Sequence, residues 1–196
     1  METPTYIAIS SQLALRTNMD IIANNMANMN TPAFKAERLI FIEHLKQPTS
    51  SDKQSYVQDI GTMRDISEGP LQKTDNPFDL AISGEGYFTI ETPLGNRYTR
   101  HGRFQLDAES RLVTGQGNPV LDNGGSAINI PAGGGKVEVS GDGTLSTGAG
   151  PIAKFGLVKF EDEQRLNRSA NNLYIATDDQ EPQDVENPKI AQGMLE

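Results

Sequence analysis

The sequence has no cysteine, no tryptophan and only two histidines among its 196 residues. Without cysteine there is no disulfide, thiolate metal site or thiol nucleophile. No run of about 18 apolar residues is present, which argues against a membrane-spanning helix. The formal charge of −9 argues against nucleic-acid binding, because such proteins need a basic surface. We therefore expect neither nucleic acid nor membrane insertion.

Residues that could carry catalysis or hold a metal are few and poorly spaced. His44 and His101 lie in unrelated segments, and neither has a second ligand at a metal-binding spacing. Gly84-Glu-Gly86 lacks the third glycine of a dinucleotide loop, and Lys136 precedes Val137 where a phosphate loop has Ser or Thr. We expect no catalytic residue, no metal and no cofactor.

The first thirty residues predict one long amphipathic helix, beginning at Thr3-Pro4 and ending at Asn30-Thr31-Pro32. Leu15, Met19, Ile22 and Met26, together with Ala8, share one stripe at helical spacing. The polar positions carry asparagine instead of lysine and glutamate, at a cost of about 0.6 kcal/mol each unless the amides gain partners. This pattern favours a helix buried in an assembly over an ordinary helix packed only on its own domain.

Nine residues of this helix and the turn after it are the expected assembly interface. They are Leu15, Met19, Ile22, Asn24, Asn25, Met26, Asn28, Asn30 and Phe34.

The rest of the chain predicts a mainly β fold. Ala36 to Leu45 is expected to form a short helical stretch, and the polar residues 46–59 a flexible connector. From about residue 66, short apolar segments separated by glycine-rich turns predict an antiparallel β-domain. We expect three parts: an assembly helix over 1–35, a connector over 36–65 and a β-rich core domain over 66–196. The expected domain core is Phe78, Leu80, Ile82, Phe88 and Ile90.

Two long motifs carry a family resemblance. Residues 24–35 read Asn-Asn-Met-Ala-Asn-Met-Asn-Thr-Pro-Ala-Phe-Lys. This resembles the N-terminal signature of the flagellar axial proteins, the rod and hook proteins, which reads Asn-Asn-x-Ala-Asn-x-Asn-Thr-x-Gly-Phe-Lys. Ala33 stands where glycine is usual, which weakens any assumption of a positive φ there. The block over residues 78–114 resembles the family's β-domain motif, with Ser110 where glycine is common.

The resemblance implies a structural subunit of the bacterial flagellar basal-body rod, which transmits torque across the periplasm. The implied partners are other rod proteins, further copies of the chain and the flagellar export apparatus, with export independent of a cleaved signal peptide. The opening residues, the Phe34–Arg38 run and the final Gln-Gly-Met-Leu-Glu motif most resemble proximal-rod proteins, with distal-rod proteins next. Family members continue into a C-terminal helix that pairs with the N-terminal one, and we expect that helix to be missing from this chain.

Two charged groups bear on an alternative function, a periplasmic glycan-binding module or peptidoglycan hydrolase. Asp75 and Asp79 could supply the two carboxylates of a hydrolase if both faced one cleft, but we interpret them as surface residues. Arg97, Arg100 and Arg103 form a basic cluster, which we interpret as an inter-subunit polar contact, with a glycan or phosphate site as the second interpretation.

Overall fold

The computed structural model describes residues 3–46, 54–131 and 133–196, and the side chains of residues 8–40, 61–131 and 133–196. The chain divides into two compact units, one reaching to Ile66 and the other starting at Ser67.

The first unit consists of one helix and one long β-hairpin. Its elements are α1 (Thr3–Ala27), β1 (Glu37–Lys46) and β2 (Gln54–Arg64). The two strands pair antiparallel from Glu37 opposite Arg64 to Lys46 opposite Gln54. The register shifts after Ile40, so that β2 has one extra residue at a bulge. The helix packs against both strands.

The segment after the signature differs from its expectation. Residues 37–46 form a strand, so the predicted helical stretch over 36–45 is wrong. Residues 54–59 also form a strand where a flexible connector was expected, while residues 47–53 of that connector lie outside the described residues. The run Leu-Ile-Phe-Ile over 39–42 is apolar without a clear period, and such runs suit either element until their partner is known.

The second unit is built from short strands, most of them two to six residues long. They are β3 (Gln72–Lys73), β4 (Leu80–Ile82), β5 (Tyr87–Thr92), β6 (Gly95–Thr99), β7 (Phe104–Leu106), β8 (Leu112–Thr114), β9 (Glu138–Val139), β10 (Thr144–Thr147), β11 (Gly150–Lys154), β12 (Leu157–Lys159), β13 (Asn167–Arg168), β14 (Tyr174–Ile175), β15 (Gln183–Asp184), β16 (Ile190–Gln192) and β17 (Met194–Leu195).

The largest sheet of this unit has six strands in the order β13-β14-β6-β5-β12-β15. Its centre is the β5–β6 hairpin, in which Phe88 faces Thr99 and Thr92 faces Gly95. Smaller antiparallel sheets surround it, including β16 paired with β4 and β17 paired with β3. Strands near the end of the chain therefore pair with strands at the start of the unit.

The larger core lies on one face of the six-stranded sheet. Leu80, Ile82, Phe88 and Ile90 belong to it and are at most 1% exposed, and Phe78 packs against it while partly buried. The Phe88 ring meets Phe104 and Phe155 edge-on at 5.1 and 5.7 Å between ring centroids. Aromatic pairs prefer this geometry, which adds stabilisation beyond the buried area.

A second, aromatic core lies on the other face of the sheet and was not predicted. It contains Tyr87, Tyr98, Val158, Phe160, Leu166 and Tyr174. The Tyr87 hydroxyl donates to the Glu163 carboxylate at 2.7 Å. Burial, followed by this carboxylate, raises the pKa of Tyr87 far above its ordinary value, so the phenol stays protonated. The signal was present in the alternate positions of β5 and β6, where tyrosines occupy the face opposite Phe88.

The predicted fold class, mainly antiparallel β with an N-terminal helix, is confirmed. Among the described residues, no helix has the length and apolar character needed to span a membrane.

Candidate assembly interface

The helix α1 packs on the hairpin with a face other than the apolar stripe. Its buried and half-buried positions are mostly small or polar: Ser10, Ser11, Ala14, Thr17, Asn18, Ile21 and Asn25. Ala14 is the most enclosed of these, at 7% exposure. The small side chains at this face allow the helix to approach the strands closely.

The predicted stripe is exposed. Leu15 is 62% exposed, Met19 71%, Ile22 51% and Met26 67%, and Met29, in the turn after α1, is 74% exposed. Single exposed apolar residues are common, whereas several that share one side of a helix are typical of an interaction surface. Burying such side chains contributes about 1.5–3 kcal/mol each. We call Leu15, Met19, Ile22, Met26 and Met29 the α1 stripe.

Asn25 already has its partners within the chain. Its Nδ2 donates to the Glu37 carbonyl oxygen at 2.8 Å, and its Oδ1 accepts from the Glu37 amide at 3.1 Å. The side chain thus acts as a peptide group that continues the hairpin ladder onto the helix. The amide that we placed in an intermolecular interface therefore fastens α1 to the start of β1.

The other predicted interface residues surround the end of α1. Asn24 and Asn30 are exposed, and Asn28 and Phe34 are half-buried. The side-chain amide of Asn28 donates from Nδ2 to the Asn24 backbone carbonyl oxygen at 2.9 Å. The backbone amide of Thr31 donates to the Asn28 backbone carbonyl oxygen, also at 2.9 Å. These bonds close a turn, so α1 ends at Ala27, three residues before the predicted end.

Comparison with known proteins identifies the family of the chain. Two family models match, one described as flagella basal body rod protein over residues 6–35 and one as flagellar hook protein FlgE/F/G D1 domain over residues 81–147. The flagellar basal-body rod protein FlgF of Caulobacter vibrioides is 41% identical over the whole chain and 82% of its own length. The chain belongs to the flagellar basal-body rod protein family.

Two further relatives bear on the type of rod protein. FlgF of Mesorhizobium japonicum is 34% identical over the whole chain and 81% of its own length. FlgG of Bacillus subtilis is 35% identical over 86% of the chain and 71% of its own length. The resemblance to rod proteins of the FlgF type is confirmed, and the chain is a structural protein of the flagellar basal-body rod, not an enzyme.

Both departures from the rod-family motifs keep a left-handed backbone. Ala33 has φ of 56° and Ser110 has φ of 63°. The positive φ is therefore present at residue 33, although the alanine weakened the assumption of one. A non-glycine residue in this region costs about 1–2 kcal/mol. Ala33 is 6% exposed and follows the turn that ends α1, so its surroundings hold it in this conformation.

The three arginines of the basic cluster do not form one common site. Arg100 is 5% exposed and pairs with Glu196 within the second unit, so its assignment to an inter-subunit contact is wrong. Arg97 is half-buried and donates to the Asn96 carbonyl at 2.9 Å, and Arg103 is exposed. The ion pair with Glu196 was missed because the partners stand 96 residues apart and only the folded strands bring them together.

The two candidate carboxylates of a glycan hydrolase also separate. Asp79 is 4% exposed and accepts from the Asn76 amide at 3.0 Å, so the expectation of a surface residue is wrong for it. Asp75 is exposed and pairs with Lys73 at 3.0 Å. Retaining and inverting hydrolases need two carboxylates in one cleft, which this pair does not provide.

The surroundings of His101 determine its pKa and leave one ring nitrogen buried. Burial lowers its pKa, Arg103 lowers it further and Asp79 opposes the shift. Its Nε2 is buried and has no hydrogen-bond partner among the described residues. The part of the chain that the structure describes holds no group of three or more potential metal ligands.

Proposed function

We propose that this chain assembles into the flagellar rod through the α1 stripe, against helices of neighbouring rod proteins and of further copies of itself. The observation that carries the proposal is the exposure of the stripe while a different face of α1, which includes Ala14 and Asn25, packs within the unit. A family membership that implies assembly with other rod proteins agrees with this use of the surface.

The charges of the two units also support this proposal. Residues 1–66 carry seven acids and six bases, whereas residues 67–196 carry nineteen acids and eleven bases. A nearly neutral unit can be packed closely with copies of itself with little like-charge repulsion. The acidic unit suits a solvated surface.

Torque transmission asks for stiffness and for contacts that repeat along an axis. The two cores on either face of the six-stranded sheet supply a densely packed body. Heterologous contacts between different surfaces generate an open helical array unless the rotation closes. In this proposal the α1 stripe is one such surface, and the flagellar export apparatus delivers the subunit to the growing rod.

The variant Ile22→Asp tests the proposal in cells that carry the chain as their only copy of this protein. A charge in an apolar interface costs several kcal/mol, so we expect loss of swimming and of rod assembly. Ile22 is 51% exposed in the isolated chain, so the purified variant should keep the wild-type melting temperature. Motility on soft agar and thermal melting followed by circular dichroism measure the two effects.

Ala23→Asp is the matched control, since it adds the same charge to the next residue, which is exposed and is not part of the stripe. Swimming should persist in this variant. Normal swimming of Ile22→Asp, or equal loss in both variants, would show that the stripe is not the assembly surface.

A further inference from the structure

The buried ion pair between Arg100 and Glu196 has no role in the assembly surface and joins distant parts of the second unit. Arg100 Nε donates to Glu196 Oε2 at 2.9 Å, and the two side chains are 4% and 3% exposed. Ion pairs at the surface contribute little, but removing one partner of a buried pair leaves an uncompensated charge. The Arg100–Glu196 pair therefore holds together the two parts of the unit to which its side chains are hydrogen-bonded.

The arginine is attached to the turn between β4 and β5. Its Nη1 donates to the carbonyl oxygens of Gly84 and Gly86 at 3.0 and 3.1 Å, and its Nη2 to that of Ile82 at 3.4 Å. One guanidinium thus bonds three backbone carbonyls and one carboxylate. Lysine could not reproduce this arrangement, because a single ammonium cannot present donors in that planar fork.

The glutamate is attached to the start of the unit. Glu196 Oε1 accepts from the Gly69 amide at 2.9 Å, while its other oxygen binds Arg100. The backbone pairing around this contact is short, with Met194 facing Lys73 and Leu195 facing Gln72. The amides of Thr74 and Asp75 extend this pairing by donating to the Gly193 carbonyl oxygen at 2.8 and 3.2 Å, and the charged contact adds a buried side-chain attachment beside it.

A second side chain of the same final segment strengthens this arrangement. The Gln192 Nε2 donates to the carbonyl oxygens of Pro77 and Val137 at 2.9 and 3.0 Å, and its Oε1 accepts from the Val139 amide at 3.2 Å. Residues 190–196 therefore bond to the start of the unit, to the segment before β4 and to β9 with the residue before it.

We propose that Arg100 and Glu196 form a latch that holds the first segment of the second unit, residues 67–75, against its last segment, residues 190–196. The latch brings these two segments together and secures them to the turn before β5. Its mechanical use, passing load from either end into the sheet, rests on the proposed rod function. The latch itself does not, and it is tested on the isolated chain.

Hydrogen exchange of Glu196→Gln, read by mass spectrometry, tests the latch. The neutral amide cannot serve the Gly69 amide and the guanidinium as the carboxylate does. We expect peptides covering 67–75 and 190–196 to exchange at least roughly tenfold faster, while the peptide containing Phe88 keeps its wild-type rate. The control is Glu138→Gln, which breaks the exposed Lys136–Glu138 pair of 3.0 Å and should change none of these rates.

Wild-type rates in both segments of Glu196→Gln, or equal acceleration of every peptide, would overturn the latch. A measurement on the unmodified chain guards against a variant that fails to fold. In sub-denaturing urea, the two segments should open together with one free energy, below that of the Phe88 strand. Separate opening of the two segments would also overturn the proposal, and neither result depends on whether the rod assembles.

Discussion

The Phe88 ring is fully buried between Phe104 and Phe155, in the middle of the larger core. Replacing it with alanine removes the transfer free energy of the ring and leaves a cavity that close-packed neighbours fill only partly. We expect Phe88→Ala to lower the free energy of unfolding by about 3–5 kcal/mol. Urea unfolding followed by the tyrosine signal of the second unit measures this loss.

Leu94→Ala is the control for this prediction. Leu94 lies in the turn between β5 and β6 and is 82% exposed, so its truncation should change stability by less than about 0.5 kcal/mol. A smaller loss for Phe88→Ala than for Leu94→Ala would contradict the core described here.

Ala33 has a backbone conformation that is unfavourable for a residue with a side chain. With φ of 56°, it stands where glycine carries no steric penalty. We expect Ala33→Gly to raise the free energy of unfolding by about 0.5–1 kcal/mol, the strain relieved less the extra entropy of glycine in the unfolded chain. Urea unfolding followed by helical circular dichroism measures it.

The same exchange inside α1 should have the opposite sign. Ala23 is exposed within the helix, and Ala23→Gly should lower stability by about 1 kcal/mol. Destabilisation by both substitutions would mean that residue 33 is not held in the left-handed region.

Alternation along strands is the residue-scale information that the sequence carried best. Leu80, Ile82, Phe88 and Ile90 were picked out by period-two spacing, and all four are buried. Partners far apart in the chain were not foreseeable in this way. Arg100 reads as one of three clustered arginines, and nothing local to it points to a carboxylate 96 residues later.

Among the elements, α1 depends on one side chain for its attachment to β1. Asn25 offers both halves of a peptide-like contact to Glu37. Asn25→Ala removes two hydrogen bonds, and we expect a loss of about 1–2 kcal/mol in the stability of the first unit. Hydrogen exchange of the Glu37 amide should accelerate in parallel.

Asn30→Ala is the matched control, because this amide is exposed in the turn after α1. It should leave the Glu37 exchange rate unchanged. Equal effects of the two substitutions would mean that Asn25 does not fasten the helix to the hairpin.

The elements were predicted unevenly. The helix was recognisable because its stripe persists over four turns and its end is marked by Asn, Thr and Pro. The hairpin was missed because an apolar run over 39–42 and a polar run after it carry no period that separates strand from helix. The two strands of the hairpin are stabilised by pairing with each other, from Glu37 opposite Arg64 onward. Neither segment reveals this pairing when its sequence is considered alone.

At the scale of the whole molecule, the chain combines a nearly neutral unit that exposes apolar surface with an acidic unit that buries its own. Composition only excluded other classes of protein, whereas the two family motifs indicated an N-terminal helix and a β-domain. Function followed from two long motifs in the right order, whereas the three-part domain division and the assembly residues stay predictions.

Cryo-electron microscopy of basal bodies that contain this chain tests directly whether the α1 stripe is an assembly surface. We expect the chain to lie in the rod, and Leu15, Met19, Ile22 and Met26 each to have apolar atoms of another helix within about 4.5 Å. A map in which the chain occupies the rod while this stripe faces solvent would contradict the proposed assembly surface.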